Sequence, residues 1–257
     1  MTASGGVDVA NLIIQGSCTF QDYGVVEMHD GDYRLLAITN SGNLVPAQPV
    51  NIEVCVVGGG ANGKNGVWAS NYGGAGAYMK NQAIEAFEGG EVVVGAAQGA
   101  SSIAGVSVMG VSGINGGSGG GGYKDHNGGT GDGLSKYPFG DNSYELWKGK
   151  PHCAGGGGSA ISVKADENDY PDGAWYLYIG GNGGSNGSNG GNAKYDSLSS
   201  YQYADGGSGG LYGGGRGYPV GTGPKASDAT YYGSGGGSSR YGYQGIVYVR
   251  IPLDQIV

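Results

Sequence analysis

The chain has 257 residues, of which 61 are glycine and 8 proline, and 13 Lys+Arg against 21 Asp+Glu leave a formal charge of −8. Glycine alone exceeds its usual share of ~7% more than threefold. The acidic balance argues against a phosphate-backbone binder, which needs clustered cations, and against docking on an anionic membrane surface.

No run reaches the ~18 apolar residues of a membrane span. The segment MTASGGVDVANLIIQG lacks a basic n-region, so no signal peptide is expected. A glycine- and proline-rich composition also permits disorder. Against that stand the 20 tyrosines and the recurring β-branched runs Ile52–Val57, Val92–Val94, Tyr176–Ile179 and Ile246–Ile251, since disordered chains are poor in both. Ordering glycine costs more backbone entropy than ordering any other residue. A packed domain of this composition therefore needs many satisfied backbone hydrogen bonds.

In chain order, residues 1–17 read as a polar arm or docking segment. Cys18–Phe20 and Val25–Met28 are short apolar runs. Asp30-Gly31-Asp32 signals a turn before Tyr33–Thr39, and Asn40-Ser41-Gly42-Asn43 turns the chain again. Val50–Val57 (VNIEVCVV) is a strand that stops at Gly58-Gly59-Gly60. Glycine then breaks nearly every window of helical length. The exceptions are Ser143–Lys148 and Met79–Glu91, the latter reading as either a short helix or an extended connection before EVVVG. Two parts are expected: an N-terminal attachment or β segment at 1–49 and a glycine-rich domain at 50–257.

Beyond residue 58, glycine blocks alternate with inserts of mixed composition. The blocks are Gly73–Gly76, Gly113–Gly122, Gly128–Gly133, Gly155–Gly158, Gly180–Gly191, Gly206–Gly215 and Gly233–Gly237. No Gly-X-Y period links them, which excludes collagen, and variable insert length excludes a simple solenoid. Each block has the composition of an extended threefold helix, whose N–H and C=O groups point sideways. Packed side by side, such helices satisfy one another's backbone groups, and only a residue without Cβ allows the approach. The inserts then become end loops, where function resides.

The order VNIEVCVVGGGANG, YGGAGAY, EVVVGAA with SSIAG, repeated GGxGG blocks and GYQGIVYVRI resembles the glycine-rich domain of phage and prophage tail proteins. GDYRLLAITNSGNLVP resembles the strand pair that precedes that domain, and the likeness spans roughly residues 30–251. The arrangement is similar to that of the tip adhesins of T-even-like long tail fibres. The resemblance implies β-strands flanking a sandwich of packed polyglycine II helices, presence in the virion (tail fibre, baseplate or capsid), and host recognition through loops.

Candidate chemistry elsewhere is thin. Gly58–Lys64 matches G-x-x-x-x-G-K, but Asn65 stands where a phosphate loop needs Ser or Thr, and GVWASNYGGAG is no helix. An edge loop of the sandwich is the better reading. His29, His126, His152, Cys18, Cys55 and Cys153 show no CxxC or HxxxH spacing, so no zinc site is expected. The odd number of cysteines, 3, argues against a disulfide framework, and Cys55 reads as a small buried apolar residue. Asp166, Glu167, Asp169 and Asp172 form a solvated acidic loop, with a bound Ca²⁺ as the alternative. No nucleophile elbow is present, and neither enzymatic activity nor a cofactor is expected.

Tyrosine and tryptophan concentrate in the inserts, beside Ser, Gly and Asn, a composition suited to contact surfaces. Tyr176, Tyr178 and Tyr248 lie in apolar runs and read as structural. Tyr231 and Tyr232 belong to the wider aromatic set. Tyr137, Tyr144, Trp147, Tyr201, Tyr203 and Tyr218 sit among turn residues and are the candidate ligand contacts. The expected role is a non-enzymatic phage receptor-binding protein for a bacterial surface glycan or protein, joined to other virion proteins through its N-terminal part. The alternatives are a structural virion component and a polysaccharide hydrolase.

Overall fold

The computed structural model describes residues 13–64, 73–122, 127–132, 138–141, 146, 156, 176–179, 189, 194–197, 228–237 and 240–253. The fold is mostly β, built on two five-stranded antiparallel sheets. Helix is confined, among the described residues, to the 3-10 turn Pro138–Gly140 and isolated positions.

The strands are β1 (Ile13–Gly16), β2 (Thr19–Met28), β3 (Gly31–Asn40), β4 (Gly42–Pro46), β5 (Val50–Val57), β6 (Met79–Phe87), β7 (Gly90–Val93), β8 (Ser101–Ile103), β9 (Val106–Val108), β10 (Tyr176–Ile179), β11 (Lys194–Ser197) and β12 (Ile246–Pro252). The central sheet has the order β2-β3-β12-β5-β6 and the second sheet β1-β4-β7-β8-β9, while β10 and β11 pair as a separate ribbon. Residues from both sides of position 49 share both sheets.

The three inner strands of the central sheet carry continuous apolar runs because both their faces are covered. One face, with Leu36, Ile38, Ile52, Val54, Val56, Val247, Val249 and Ile251, packs against Leu44, Val92, Ile103, Val106 and Val108 of the second sheet. The other, with Leu35, Ala37, Cys55, Val57, Ile246 and Tyr248, is covered by Ala61, Ala75, Ala77, Val111, Phe139 and Leu146. β8 and β9 join through Ala104 and Gly105, both at positive φ (47° and 78°), as a tight two-residue hairpin with right-handed twist requires.

Several expectations need correction. Residues 13–16 are an edge strand paired with β4, not part of a polar arm. The first hairpin turns at His29-Asp30, so Gly31 and Asp32 already belong to β3. The turn expected at Asn40–Asn43 shrinks to Ser41, where the chain leaves the central sheet for the second one. Met79–Phe87 is a strand, although Lys, Gln, Ala and Glu favour helix. Its backbone pairs with β5 from Met79 opposite Val57 to Phe87 opposite Val50, and that pairing overrides propensity.

Past the ends of β5, β6 and β12 the ladder changes period. Gly58 and Ala61 donate to the carbonyls of Tyr78 and Ala75, and Gly60 and Gly63 to those of Tyr243 and Arg240. Gly73 and Gly76 donate to Gly121 and Ser118, Gly74 and Ala77 to Gly236 and Gly233, and Gly129 and Asp132 to Gly120 and Gly117. In each pair a step of three along the donor matches a step of three back along the acceptor. A β ladder would repeat every two residues. The register set by Val57 opposite Met79 and by Val57 opposite Ile246 passes into the glycine segments without slip. Residues 73–77, 116–122 and 233–237 are buried throughout. Their backbone groups lack water and use each other instead.

Glycine is required there for space rather than conformation. Gly74 and Gly235 do not have positive φ, yet a Cβ on Gly74 would strike the Ala61 carbonyl oxygen, and one on Gly235 the Gly74 carbonyl oxygen. Since backbone rather than a flexible side chain blocks the way, overpacking by a single methyl is expected to cost about 1–3 kcal/mol. Gly74→Ala and Gly235→Ala are each expected to lower the thermal midpoint by roughly 3–10 °C. Unchanged midpoints in calorimetry would contradict the packing described.

Candidate functional site

The described residues that combine exposure with ordered aromatic chemistry lie on the hairpin formed by residues 228–237 and 240–245, which reaches β3 through the bond from Gln244 Nε2 to the Thr39 carbonyl (2.8 Å). Within that hairpin Ala229 N–H donates to the Tyr241 carbonyl (2.9 Å), Tyr243 N–H to Ser234 (2.9 Å) and Gly233 N–H to Gln244 (2.6 Å). Asp228 Oδ1 accepts from Tyr241 N–H at 2.9 Å. These bonds fix Tyr231, Tyr232, Tyr241 and Tyr243 on one short backbone unit. The Tyr232 and Tyr243 rings meet edge to face, centroids 5.3 Å apart at 74°, a favoured aromatic geometry. Tyr231, Tyr241 and Tyr243 remain 42%, 68% and 38% exposed.

Tyr23 of β2 and Tyr232 both pack, partly buried, against the same core cluster. Burial pushes the Tyr23 phenol up, aided by Tyr232. Burial likewise raises Tyr232, aided by Tyr243. The Tyr23 hydroxyl donates to Gln21 Oε1 at 3.0 Å. Beside it, Arg34 binds Asp22 through Nε at 3.1 Å and through Nη2. Burial acts to raise the Asp22 carboxyl, but the bonds from Arg34 and from Gly24 N–H outweigh it and hold the group below its usual range.

A second cluster lies on β12 and β3 where Arg250 stands opposite Leu35. The Arg250 side chain, 5% exposed, binds Asp30 in a fork (2.9 and 2.7 Å) and Glu53 Oε2 through Nε and Nη2 (3.0 and 2.6 Å). Its guanidinium stacks 4.0 Å from the Tyr33 ring centroid and 4.6 Å from that of Phe139. The planar, permanently charged guanidinium suits both kinds of partner. Asp30, Glu53, Asp32 and Glu85 also line an open groove of about 620 Å³, in which two of these carboxylates already serve Arg250.

Phe139 reaches the cluster from the 3-10 turn, at a φ of 58°. Its N–H donates to Asn81 Oδ1 (3.1 Å), and buried Asp141 accepts from His29 N–H (3.0 Å). The turn is thereby clipped to β6 and to the β2–β3 hairpin. Phe139 is 8% exposed and serves as an anchor.

All six candidate contacts, Tyr137, Tyr144, Trp147, Tyr201, Tyr203 and Tyr218, lie outside the described residues, as does the acidic loop at 166–172. Tyr248 is fully buried, as its apolar run implies. Cys55 is buried too, its thiol pushed up to about 12 by burial. Gly58–Gly63 is not an edge loop. It lies inside the glycine layer, and the N–H groups of Gly58, Gly59, Gly60, Ala61 and Gly63 all donate to backbone carbonyls, leaving them none to offer a phosphate. Among the described residues no group of three or more His, Cys, Asp or Glu is placed to hold a metal ion.

Sequence reasoning missed Tyr23, Tyr241 and Tyr243. The available signals were Asp22-Tyr23-Gly24, a bulge composition inside a strand, and Tyr241-Gly242-Tyr243 before the last strand. No protein-family model matches the chain, and no curated protein matches it.

The Arg250 cluster sets an acid limit. The bonds from Arg250 hold the Asp30 carboxyl below its ordinary 3.8. Its contribution is therefore complete above that value and lost as pH falls through the lower, folded value. The unfolding midpoint is expected to stay level from pH 7 to about 5 and to drop below about pH 4, with a shallower drop in Asp30→Asn. Arg250→Met strands two carboxylates that are each about one-third exposed, so its cost is expected near 2–3 kcal/mol, below the usual range for a fully buried pair. Denaturant titration across that pH range checks both expectations.

Proposed function

We propose that this chain is a receptor-binding protein of a phage virion, in which a polyglycine II sandwich carries loops that recognise a bacterial surface glycan or protein. The observation that carries this reading is the three-residue antiparallel register repeated between neighbouring glycine segments. A threefold extended helix with ~3.1 Å rise and no internal hydrogen bonds generates that repeat. The scaffold draws most of its order from backbone hydrogen bonds, which leaves the inserts free to vary in length and chemistry.

On this reading Tyr137, Tyr144, Trp147, Tyr201, Tyr203 and Tyr218 are ligand contacts, and the N-terminal part joins other virion proteins. Such contacts are individually weak, and many copies on one particle convert them into firm attachment. The role is binding, with no catalytic step.

Fluorescently labelled protein is expected to bind selectively to some strains of a bacterial panel. The double variants Tyr144→Ala/Trp147→Ala and Tyr201→Ala/Tyr203→Ala should each reduce binding about tenfold while keeping the wild-type thermal midpoint. A protein that binds no strain, and whose aromatic inserts are buried between subunits in particles, would be a structural virion component instead. Release of reducing sugar from capsule would make it a hydrolase.

A further inference from the structure

We propose that Asn127 is a site of spontaneous covalent modification, at which the side-chain amide is lost through a cyclic imide closed by the backbone nitrogen of Gly128. The proposal is independent of the recognition role above. Asn precedes Gly at seven positions: 62, 65, 115, 127, 182, 186 and 189. Glycine has no Cβ to shield its nitrogen from the preceding Asn Cγ, and its backbone turns readily into the geometry of ring closure. The composition thus offers the reaction many starting points, and the fold decides where it proceeds.

Of the four such Asn that are described, three have their side chains tied to a neighbouring segment. Asn62 Oδ1 accepts Gly242 N–H at 2.9 Å, and its Nδ2 donates to Gln98 Oε1 at 3.0 Å. Asn115 Oδ1 accepts Thr130 N–H at 2.9 Å, and Asn189 Oδ1 accepts Gly131 N–H at 2.9 Å. In each case a side-chain carbonyl takes the place of a main-chain one in the lateral bonding. At two of them the attacking nitrogen is held as well. Gly63 N–H donates to the Arg240 carbonyl at 2.8 Å, and Gly116 N–H to that of Thr130 at 3.1 Å. Backbone also crowds both glycines, since a Cβ on Gly63 would strike the Gly237 carbonyl oxygen and one on Gly116 that of Gly76. Ring closure at either position has to break these bonds and move this backbone.

Asn127 differs. It is exposed, Gly128 is half-buried, and the Asn127 amide makes no hydrogen bond among the described residues. Exposure alone does not single it out, because Asn115 is exposed too. The missing tie does. The Gly128 nitrogen, its proton given up to hydroxide, bonds to Asn127 Cγ. The Cγ–Nδ2 bond breaks, and ammonia leaves with a proton from water. A second water opens the imide at one of its two carbonyls, giving aspartate or isoaspartate. Both products add a negative charge to a chain already at −8. Isoaspartate also routes the main chain through Cβ and Cγ, lengthening it by one carbon two residues before Gly129. That glycine donates its N–H to the Gly120 carbonyl at 2.8 Å, and the Ile114 carbonyl oxygen fills the place of its Cβ.

The test is to hold the full chain in mildly alkaline buffer at physiological temperature, both native and in denaturant. Peptides containing Asn62, Asn115, Asn127 and Asn189 are then followed by mass spectrometry, with fragmentation that separates isoaspartate from aspartate. In the native protein Asn127 is expected to convert at least about tenfold faster than the other three. In denaturant the four rates should converge, because the flanking Gly is common to all. Equal native rates at the four positions overturn the proposal. So does an Asn127 that stays intact in the native protein and converts only in denaturant, since the fold then protects it as well. Faster conversion at Asn62, Asn115 or Asn189 than at Asn127 overturns the protective role of the side-chain ties. A rate order that persists in denaturant assigns the difference to local sequence and removes the fold from the explanation.

Discussion

A buried peptide group must find a hydrogen-bond partner, and in the glycine layer that partner is mostly another backbone, with a few side chains such as Asn62, which accepts from Gly242 N–H. Everything distinctive about the chain follows from that constraint. Residues 73–77 are enclosed and bring hardly any side chain with them. Their N–H groups reach outward to Gly121, Gly236, Gly113, Ser118 and Gly233 in succession, so neighbours are needed on several sides at once. Those neighbours must approach until a carbonyl oxygen occupies the place of a Cβ. The glycine content is thus a packing requirement, and the entropy lost in ordering it is offset by a dense set of lateral hydrogen bonds.

The layer is grown from the central sheet rather than attached to it. β5, β6 and β12 run directly into glycine segments and keep their mutual register as the repeat changes from two to three. Where the layer faces the sheet, Ala61, Ala75 and Ala77 replace glycine. Each is large enough to fill space above Cys55, Val57 and Tyr248 and small enough to keep the backbone close. The sheet is therefore covered by a second sheet on one side and largely by small residues and main chain on the other. Phe139 and Leu146 contribute the bulk that alanine cannot.

The inner strands were legible because burial on two faces writes an unbroken apolar run, as in VNIEVCVV and IVYVRI. β6 was ambiguous because it sits at the sheet edge with most residues exposed, where composition is free to look helical and only pairing with β5 decides. β1 escaped notice because four residues at an edge carry too little pattern. The sideways bonding of the glycine blocks could be argued from composition, but which segment neighbours which depends on contacts far apart in sequence, such as Gly74 with Gly236. The tyrosine cluster was hidden for the same reason. Tyr23 lies more than two hundred positions from Tyr232, and only the fold packs both against one core cluster.

The three-residue register has a consequence for how such a chain can change length. On the polyglycine II reading proposed above, each N–H in a glycine segment is assigned to one neighbour by its angle around the segment axis, and one residue turns that angle by a third of a revolution. Losing a single residue between Gly58 and Gly63 would swing every later donor away from its own partner toward the next segment. Losing three would restore the directions and merely shorten the rod. The glycine segments thus carry a reading frame of their own, counted in amino acids rather than nucleotides. The stretches between them are under no such arithmetic, so they are the places where the chain can gain or lose residues one at a time.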